Sequence, residues 1–260
     1  MASPAEPRGL TLDLWHTLAY LDPESEEAYM REQIEVAAEV LEASPRTDDG
    51  PSGRPGSARE VFEAVYAQAV AASQQGRSVP PRQQILEAGA LLGRRPDPAH
   101  YLARLREVVD RLAFRPAPGA VEALERIRED GWSLGVISNT VGEPGAMLRP
   151  MLRTMGYERL VRTFVFSDEE PWTKPAPEIF LAATERLGVR PRNTVHVGDG
   201  WVDIEGARRA GFRAGVLFTG LQRYGERYRR LFLPPGWSEP ETPHRAHSWA
   251  EVPGLLDRLG

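Results

Sequence analysis

Two regimes of hydrophobic and polar positions alternate along this chain. Five short apolar, β-rich runs lie at 9–14, 133–138, 162–166, 194–197 and 214–218. Between them, apolar residues recur every three or four positions. Short apolar runs bounded by turn residues predict buried strands, and the 3.6-residue period predicts amphipathic helices. The last four runs alternate with helical patterns at 119–130, 143–156, 176–188 and 203–211, with Gly119, Gly131 and Gly211 where helix boundaries are expected. This alternation predicts an α/β fold with a Rossmann-like parallel sheet.

The interval between the first two strands breaks the rhythm. Residues 20 to about 116 contain no good strand and four helical patterns, at 24–43, 58–76, 81–93 and 97–113. On the first, Tyr29, Ile34, Ala37, Ala38 and Leu41 share a face; on the last, Leu102, Leu105, Val108, Val109 and Leu112 do. SPRTDDGPSGRPGS at 44–57 reads as a flexible loop. The expected division is an α/β core domain built from 1–19 and 115–260, interrupted by an all-helical cap domain at 20–114. The segment 225–243, with its prolines, is expected to be irregular before a final strand and helix near 244–259.

Composition narrows the class. A length of 260 residues suits one large domain or two modest ones. A net charge of −5 argues against a dedicated nucleic-acid binder. The absence of cysteine excludes disulfides, thiolate catalysis and zinc–thiolate sites. MASPAEPRG has no basic-then-apolar signal pattern, and no run approaches the roughly 20 apolar residues of a membrane span, so a cytoplasmic location and no membrane partner are expected. Of the 32 Lys and Arg residues, Lys174 alone is lysine. Arginine does not substitute where a compact ammonium is required.

Ligands of open parallel sheets bind beyond the carboxyl ends of the strands. There the sequence places Asp13 with Thr17, Ser138-Asn139-Thr140, Ser167-Asp168 with Lys174-Pro175, and Asp199 with Asp203. Taken singly, these residues have plainer readings: Asp13 as a turn cap, Ser138-Asn139 or Asp199 and Asp203 as a helix start, Glu169 and Glu170 as solvated loop charges. Taken together, carboxylates, a hydroxyl and an ammonium suit Mg²⁺ with a phosphate ligand, and an aspartate able to attack phosphorus.

The pieces LTLDLWHTL, LGVISNT, FSDEEPWTKPAPEIF and VHVGDGWVDIEGARRAG stand in order across residues 9–218. This set resembles the haloacid dehalogenase-like hydrolase superfamily, in the branch whose helical cap is inserted between the first and second motifs. The resemblance implies that Asp13 is the nucleophile and a Mg²⁺ ligand, and that Ser138 bonds the transferring group. It implies that Lys174 holds nucleophile and substrate charge together. Asp199 would ligate the metal, Asp203 would ligate it or position a metal-bound water, and the Trp15 carbonyl would be a further ligand. Trp15, Thr17 and Asn139 are expected around the substrate, a phosphorylated small molecule. Helical caps of this superfamily often pair in homodimers, and no residue here shows such pairing.

One position departs from the pattern. Phosphatases of the superfamily usually carry a second aspartate two residues after the nucleophile, as acid and base; here it is Trp15. A positioned acid/base is worth about 10²–10⁴-fold in rate. His16 or a cap residue is expected to supply the proton, or the leaving group must need none. The alternatives are carbon-centred hydrolysis of the haloacid dehalogenase type, and a non-catalytic binding protein. Asp199 and Asp203 favour the phosphohydrolase, because buried carboxylates are costly without a cation. Trp15, Trp172 and Trp201 fall in the loops carrying the acidic residues and Lys174, which suggests either plain packing or an aromatic-walled site. Arg31, Arg94, Arg95 and Arg104 are candidate anion clamps in the helical insert.

Overall fold

The computed structural model describes residues 6–47, 56–221, 224–233 and 240–259. Its elements run β1 (Arg8–Leu12), β2 (Ala19–Tyr20), α1 (Pro23–Ala43), α2 (Ala58–Gln74), α3 (Pro81–Leu92), α4 (Pro98–Asp110), β3 (Arg115–Pro116), α5 (Ala120–Glu129) and β4 (Trp132–Ser138). There follow α6 (Gly145–Thr154), β5 (Thr163–Phe166), α7 (Pro177–Leu187), β6 (Thr194–Gly198), α8 (Trp201–Arg209), β7 (Ala214–Phe218), α9 (Glu226–Phe232), β8 (Arg245–Ala246) and α10 (Val252–Leu259).

Six strands form one parallel sheet in the order β5-β4-β1-β6-β7-β8. The central strands are covered on both faces, and so they read as continuous apolar runs rather than alternating ones. Helices supply the cover. On α5, Ala120, Ala123, Leu124 and Ile127 are buried at the spacing of a single helical face. Between α7 and α8 the approach is closer: a Cβ on Gly206 would lie 2.2 Å from the Phe180 ring.

The chain leaves β1 in one direction to β4 and β5, then crosses back to β6 on the other side of β1. This reversal opens a crevice at the carboxyl ends of β4, β1 and β6, the usual place for a ligand in such sheets.

Helices α1–α4 bury an apolar cluster of their own, including Ile34, Leu41, Phe62, Ile85, Tyr101 and Leu105. Their starts are fixed by local chemistry. Asp22 accepts the Ser25 N–H ahead of α1, and Ser57 with Glu60 forms a capping box at α2. The chain enters and leaves this helical layer through the antiparallel pair β2–β3, where Ala19 faces Pro116 and Tyr20 faces Arg115. That ribbon is too short for a period-2 pattern, and the sequence did not reveal it.

The expectation of irregular chain across 225–243 needs correcting, because Glu226–Phe232 forms α9, packed against α1 and α2. Tyr224, Tyr228 and Phe232 recur every four residues and bring one aromatic edge toward those helices. The greater part of the expected 44–57 loop lies outside the described residues. Among the described residues no helix is long and apolar enough to cross a membrane.

Candidate active site

The turn after β1 is the foundation of the site. Asp13 donates its backbone N–H to Val197 of β6 at 2.9 Å, which docks the carboxylate at the crevice. Leu14 accepts the Leu18 and Ala19 N–H groups, closing a tight turn in which His16 takes φ 57°. A non-glycine residue in the left-handed region is uncommon and persists where its surroundings hold it. Thr17, wholly buried, donates from Oγ1 to Asp13 Oδ2 at 3.3 Å.

Lys174 reaches this carboxylate from the loop after β5. Its Nζ donates to Asp13 Oδ1 and, at 2.6 Å, to Asp203 Oδ1. Asn139 at the end of β4 sets that reach: it accepts the Lys174 N–H at 2.8 Å and donates to the Lys174 carbonyl at 3.0 Å. The Asn139 side chain lines the site and is spent on holding the lysine backbone. Asp203, on the first turn of α8, also accepts the Gly200 N–H at 3.0 Å and a bond from His196 Nε2 at 3.0 Å. His196 in turn bonds Thr11 through Nδ1 at 2.9 Å. With burial lowering its pKa, neutral His196 donates from Nε2 and accepts at Nδ1. A relay of Thr11, His196, Asp203, Lys174 and Asp13 runs beneath the crevice.

Asp199 completes the acidic group, its Oδ2 accepting the Tyr224 hydroxyl at 2.6 Å. Carboxylate oxygens of Asp13, Asp199 and Asp203 all lie within 4.8 Å of one another, and all three residues are buried. Burial raises Asp13 to about 7, with Asp203 and Asp199 adding to the effect and Lys174 opposing it. Burial likewise raises Asp199 to about 6. Burial would also raise Asp203, but Lys174 and His196 hold it well below the usual carboxylate range. Burial works against the Lys174 charge, yet Asp13 and Asp203 keep its pKa above the ordinary lysine value. One ammonium facing three buried carboxylates leaves an excess of negative charge. Hard oxygen donors with that surplus fit a dication such as Mg²⁺. A further sign of an awaited ligand is Ser138 at the end of β4, whose buried Oγ has no protein partner among the described residues. Such a hydroxyl costs about 1–3 kcal/mol unless a bound group satisfies it.

Thus Asp13, Trp15, His16, Asn139, Lys174, Asp199 and Asp203 all line one chamber, with Thr17 and Ser138 wholly buried. His16 is turned toward Glu26 of α1, with Nε2 at 3.0 Å from the carboxylate, and stands edge-on to Tyr224 and Tyr228. Burial alone would lower its pKa, but Glu26, Asp199 and Asp13 together raise it. Trp201 joins Trp15 on the wall, whereas Trp172 is 42% exposed and is not part of it. Of the four candidate clamps none lines the chamber; Arg94 donates to the carbonyls of Glu42 and Ser44, and Arg104 pairs with Glu39.

Sequence reasoning missed several residues. Glu143, after β4, accepts the Tyr29 hydroxyl at 2.6 Å and a bond from the Trp15 indole, and burial raises its pKa to about 7. Glu26 and Tyr224 were likewise unmarked, one inside a charged helix and the other in an irregular stretch. His196 carried a signal, as a polar side chain in the apolar run TVHV.

A parallel Rossmann-like sheet with a helical insertion, and an acidic cluster with lysine at its switch point, define an α/β enzyme with its site at the carboxyl ends of the strands. A family profile for haloacid dehalogenase-like hydrolases matches residues 7–211, and the chain belongs to that family. It is 34% identical over 111 residues to an N-acetylmuramic acid 6-phosphate phosphatase of Pseudomonas aeruginosa, covering 43% of this chain and 46% of that one. It is 28% identical over 173 residues to a phosphoglycolate phosphatase of Xylella fastidiosa, covering 66% and 67% respectively. The chain therefore spans about half the length of the first relative and two thirds of the second. A 2-haloacid dehalogenase structure from Pseudomonas syringae shares the fold, with a TM-score of 0.62 at 21% identity and coverage of 98% and 100%.

Proposed function

We propose that this protein is a Mg²⁺-dependent phosphohydrolase that works through an aspartyl-phosphate on Asp13. Residues 1–19 and 115–260 act as the core domain, and 20–114 as the cap. The observation carrying this reading is the Lys174 ammonium bridging Asp13 and Asp203 beside Asp199. Carbon-centred displacement has no evident use for that surplus of carboxylates.

Asp13, Asp199 and the Trp15 carbonyl would hold Mg²⁺. Asp203, whose oxygens already take three donors, acts alongside. When bound, the ion neutralises charge on the substrate phosphate. Asp13 attacks phosphorus, a new carboxyl O–P bond forms, and the bond to the ester oxygen breaks. Lys174 keeps Asp13 ionised for that attack and draws the equatorial oxygens toward it. Ser138 Oγ donates to the transferring group. The departing oxygen takes its proton from His16, which Glu26 holds in place. Water then attacks the aspartyl-phosphate, His16 recovers a proton, and phosphate leaves with Asp13 regenerated. Trp15 exchanges no proton, so proton transfer to and from the leaving group and water falls to His16.

The test is phosphate release from acetyl phosphate, p-nitrophenyl phosphate, phosphoglycolate and N-acetylmuramic acid 6-phosphate, with Mg²⁺ or with EDTA. Turnover is expected to require Mg²⁺ and to vanish in Asp13→Asn. In His16→Ala the alkyl esters should lose about 10²-fold or more, and acetyl phosphate far less. Silence across the panel together with halide release from a haloacid would replace this reading with the carbon-centred one.

A further inference from the structure

The chamber over Asp13 has a volume of about 150 Å³. An apolar cavity of about that size holds a benzene ring. Its walls are aromatic. Trp15 and Phe114 meet at 5.0 Å between ring centroids. Tyr224, Tyr228 and Phe232 line the same chamber and form a ladder, with successive centroids 5.0 and 4.7 Å apart. Ladders of this kind offer a further ring favourable edge or face contacts.

The charges in the chamber point the same way. Lys174 is committed to Asp13 and Asp203, and His16 to Glu26. No arginine occurs among the described lining residues. The other charged groups facing the space are carboxylates, including Glu26 and Glu143. A second anion on the substrate would therefore be desolvated against like charge, with no arginine among the described lining residues to receive it.

We propose, resting on the phosphohydrolase reading above, that the site takes phosphate monoesters whose leaving group is neutral and apolar, up to about one ring in size, and rejects esters bearing a second anionic group. The ring lies against Trp15 and the Tyr228–Phe232 ladder, and Glu143 repels a distal carboxylate.

The deciding comparison, made at about pH 8.5 so that Glu143 is ionised, is benzyl phosphate against phosphoglycolate. Both release primary alcohols, so leaving-group acidity does not separate them; one ends in a ring, the other in a carboxylate. Benzyl phosphate should be favoured by about 10- to 100-fold in kcat/KM, the usual worth of burying a ring. Glu143→Gln should narrow that ratio by about tenfold through faster phosphoglycolate turnover, since a like charge is removed. Equal or better turnover of phosphoglycolate by the unaltered protein, or an unchanged ratio in Glu143→Gln, would overturn the assignment. Acetyl phosphate, which carries neither group, tests the underlying reading separately: no Asp13-dependent release from it sinks the phosphohydrolase. Calorimetric binding to Asp13→Asn then still decides the ligand class. Benzylphosphonate binding more tightly than phosphonoacetate supports the assignment, and the reverse order refutes it.

Discussion

Replacing Lys174 with methionine removes the ammonium and keeps most of the side chain's volume. Lys174 is buried, with Asp13 and Asp203 as ion partners. Breaking a buried ion pair from one side costs about 3–5 kcal/mol, because the remaining charge stays buried without its counterpart. For a domain of this size each kcal/mol shifts the melting midpoint by about 2–4 °C, so a fall of about 6–20 °C is expected. The loss must depend on pH. Asp13 and Asp199 titrate in the fold at about 7 and about 6, raised by burial above the ordinary carboxylate value. The folded chain thus binds their protons more tightly than the unfolded chain does. Their burial penalty is absent below the unfolded pKa and grows as pH rises through 6 and 7. Thermal melts of Lys174→Met in EDTA should therefore show the full deficit at about pH 7.5 and a smaller one at about pH 5. Mg²⁺ should restore part of the midpoint at the higher pH, by placing a dication among the same carboxylates. A change within about 2 °C at the higher pH, or a larger loss at the lower one, would refute this account of the cluster.

Other substitutions probe neighbouring claims. In a His16→Ala background, Trp15→Asp should restore kcat on alkyl phosphates by about 10²-fold or more by supplying a carboxyl acid, at a stability cost of up to about 3–5 kcal/mol for the lost indole packing; kinetics and melting read the two effects apart. Gly198→Ala would place a Cβ 2.3 Å from the Asp203 Cγ. Pushing that carboxylate off Lys174 should cut kcat on acetyl phosphate by about 10²-fold. Gly206→Ala, whose Cβ would meet the Phe180 ring at 2.2 Å, should lower the melting midpoint by an overpacking cost of about 1–3 kcal/mol.

The sheet was legible because its strands are buried on both faces. SLGVIS and TVHV are unbroken apolar runs, and Gly131 and Gly211 punctuate the helices between them. That the polar residues at the strand ends would gather in one place was also legible, since the carboxyl ends of parallel strands converge on the switch point. The chamber's outer wall was not. Glu26 and Tyr29 lie in a helix whose other charges are solvated, and nothing local marks which ones turn inward. Tyr224 and Tyr228 depend on α9 folding back across 199 residues of sequence to meet Glu26, which accepts the Gly225 N–H at 3.0 Å. Contacts of that range are set by the assembled fold. Single-sequence periodicity sees one element at a time.

The solitary lysine has a practical consequence. In a chain where every other Lys or Arg position is arginine, Lys174 carries the one side-chain primary amine. It lies 2% exposed beneath the chamber, with its pKa raised by Asp13 and Asp203 against the effect of burial. Acylating reagents require a free, deprotonated amine, so the side chain is shielded while its ion pairs are intact. The rate of its acylation then reads how often those ion pairs break, by mass spectrometry from a single peptide. With no cysteine in the chain, one engineered thiol beside the chamber would give a second, chemically independent reading of its accessibility.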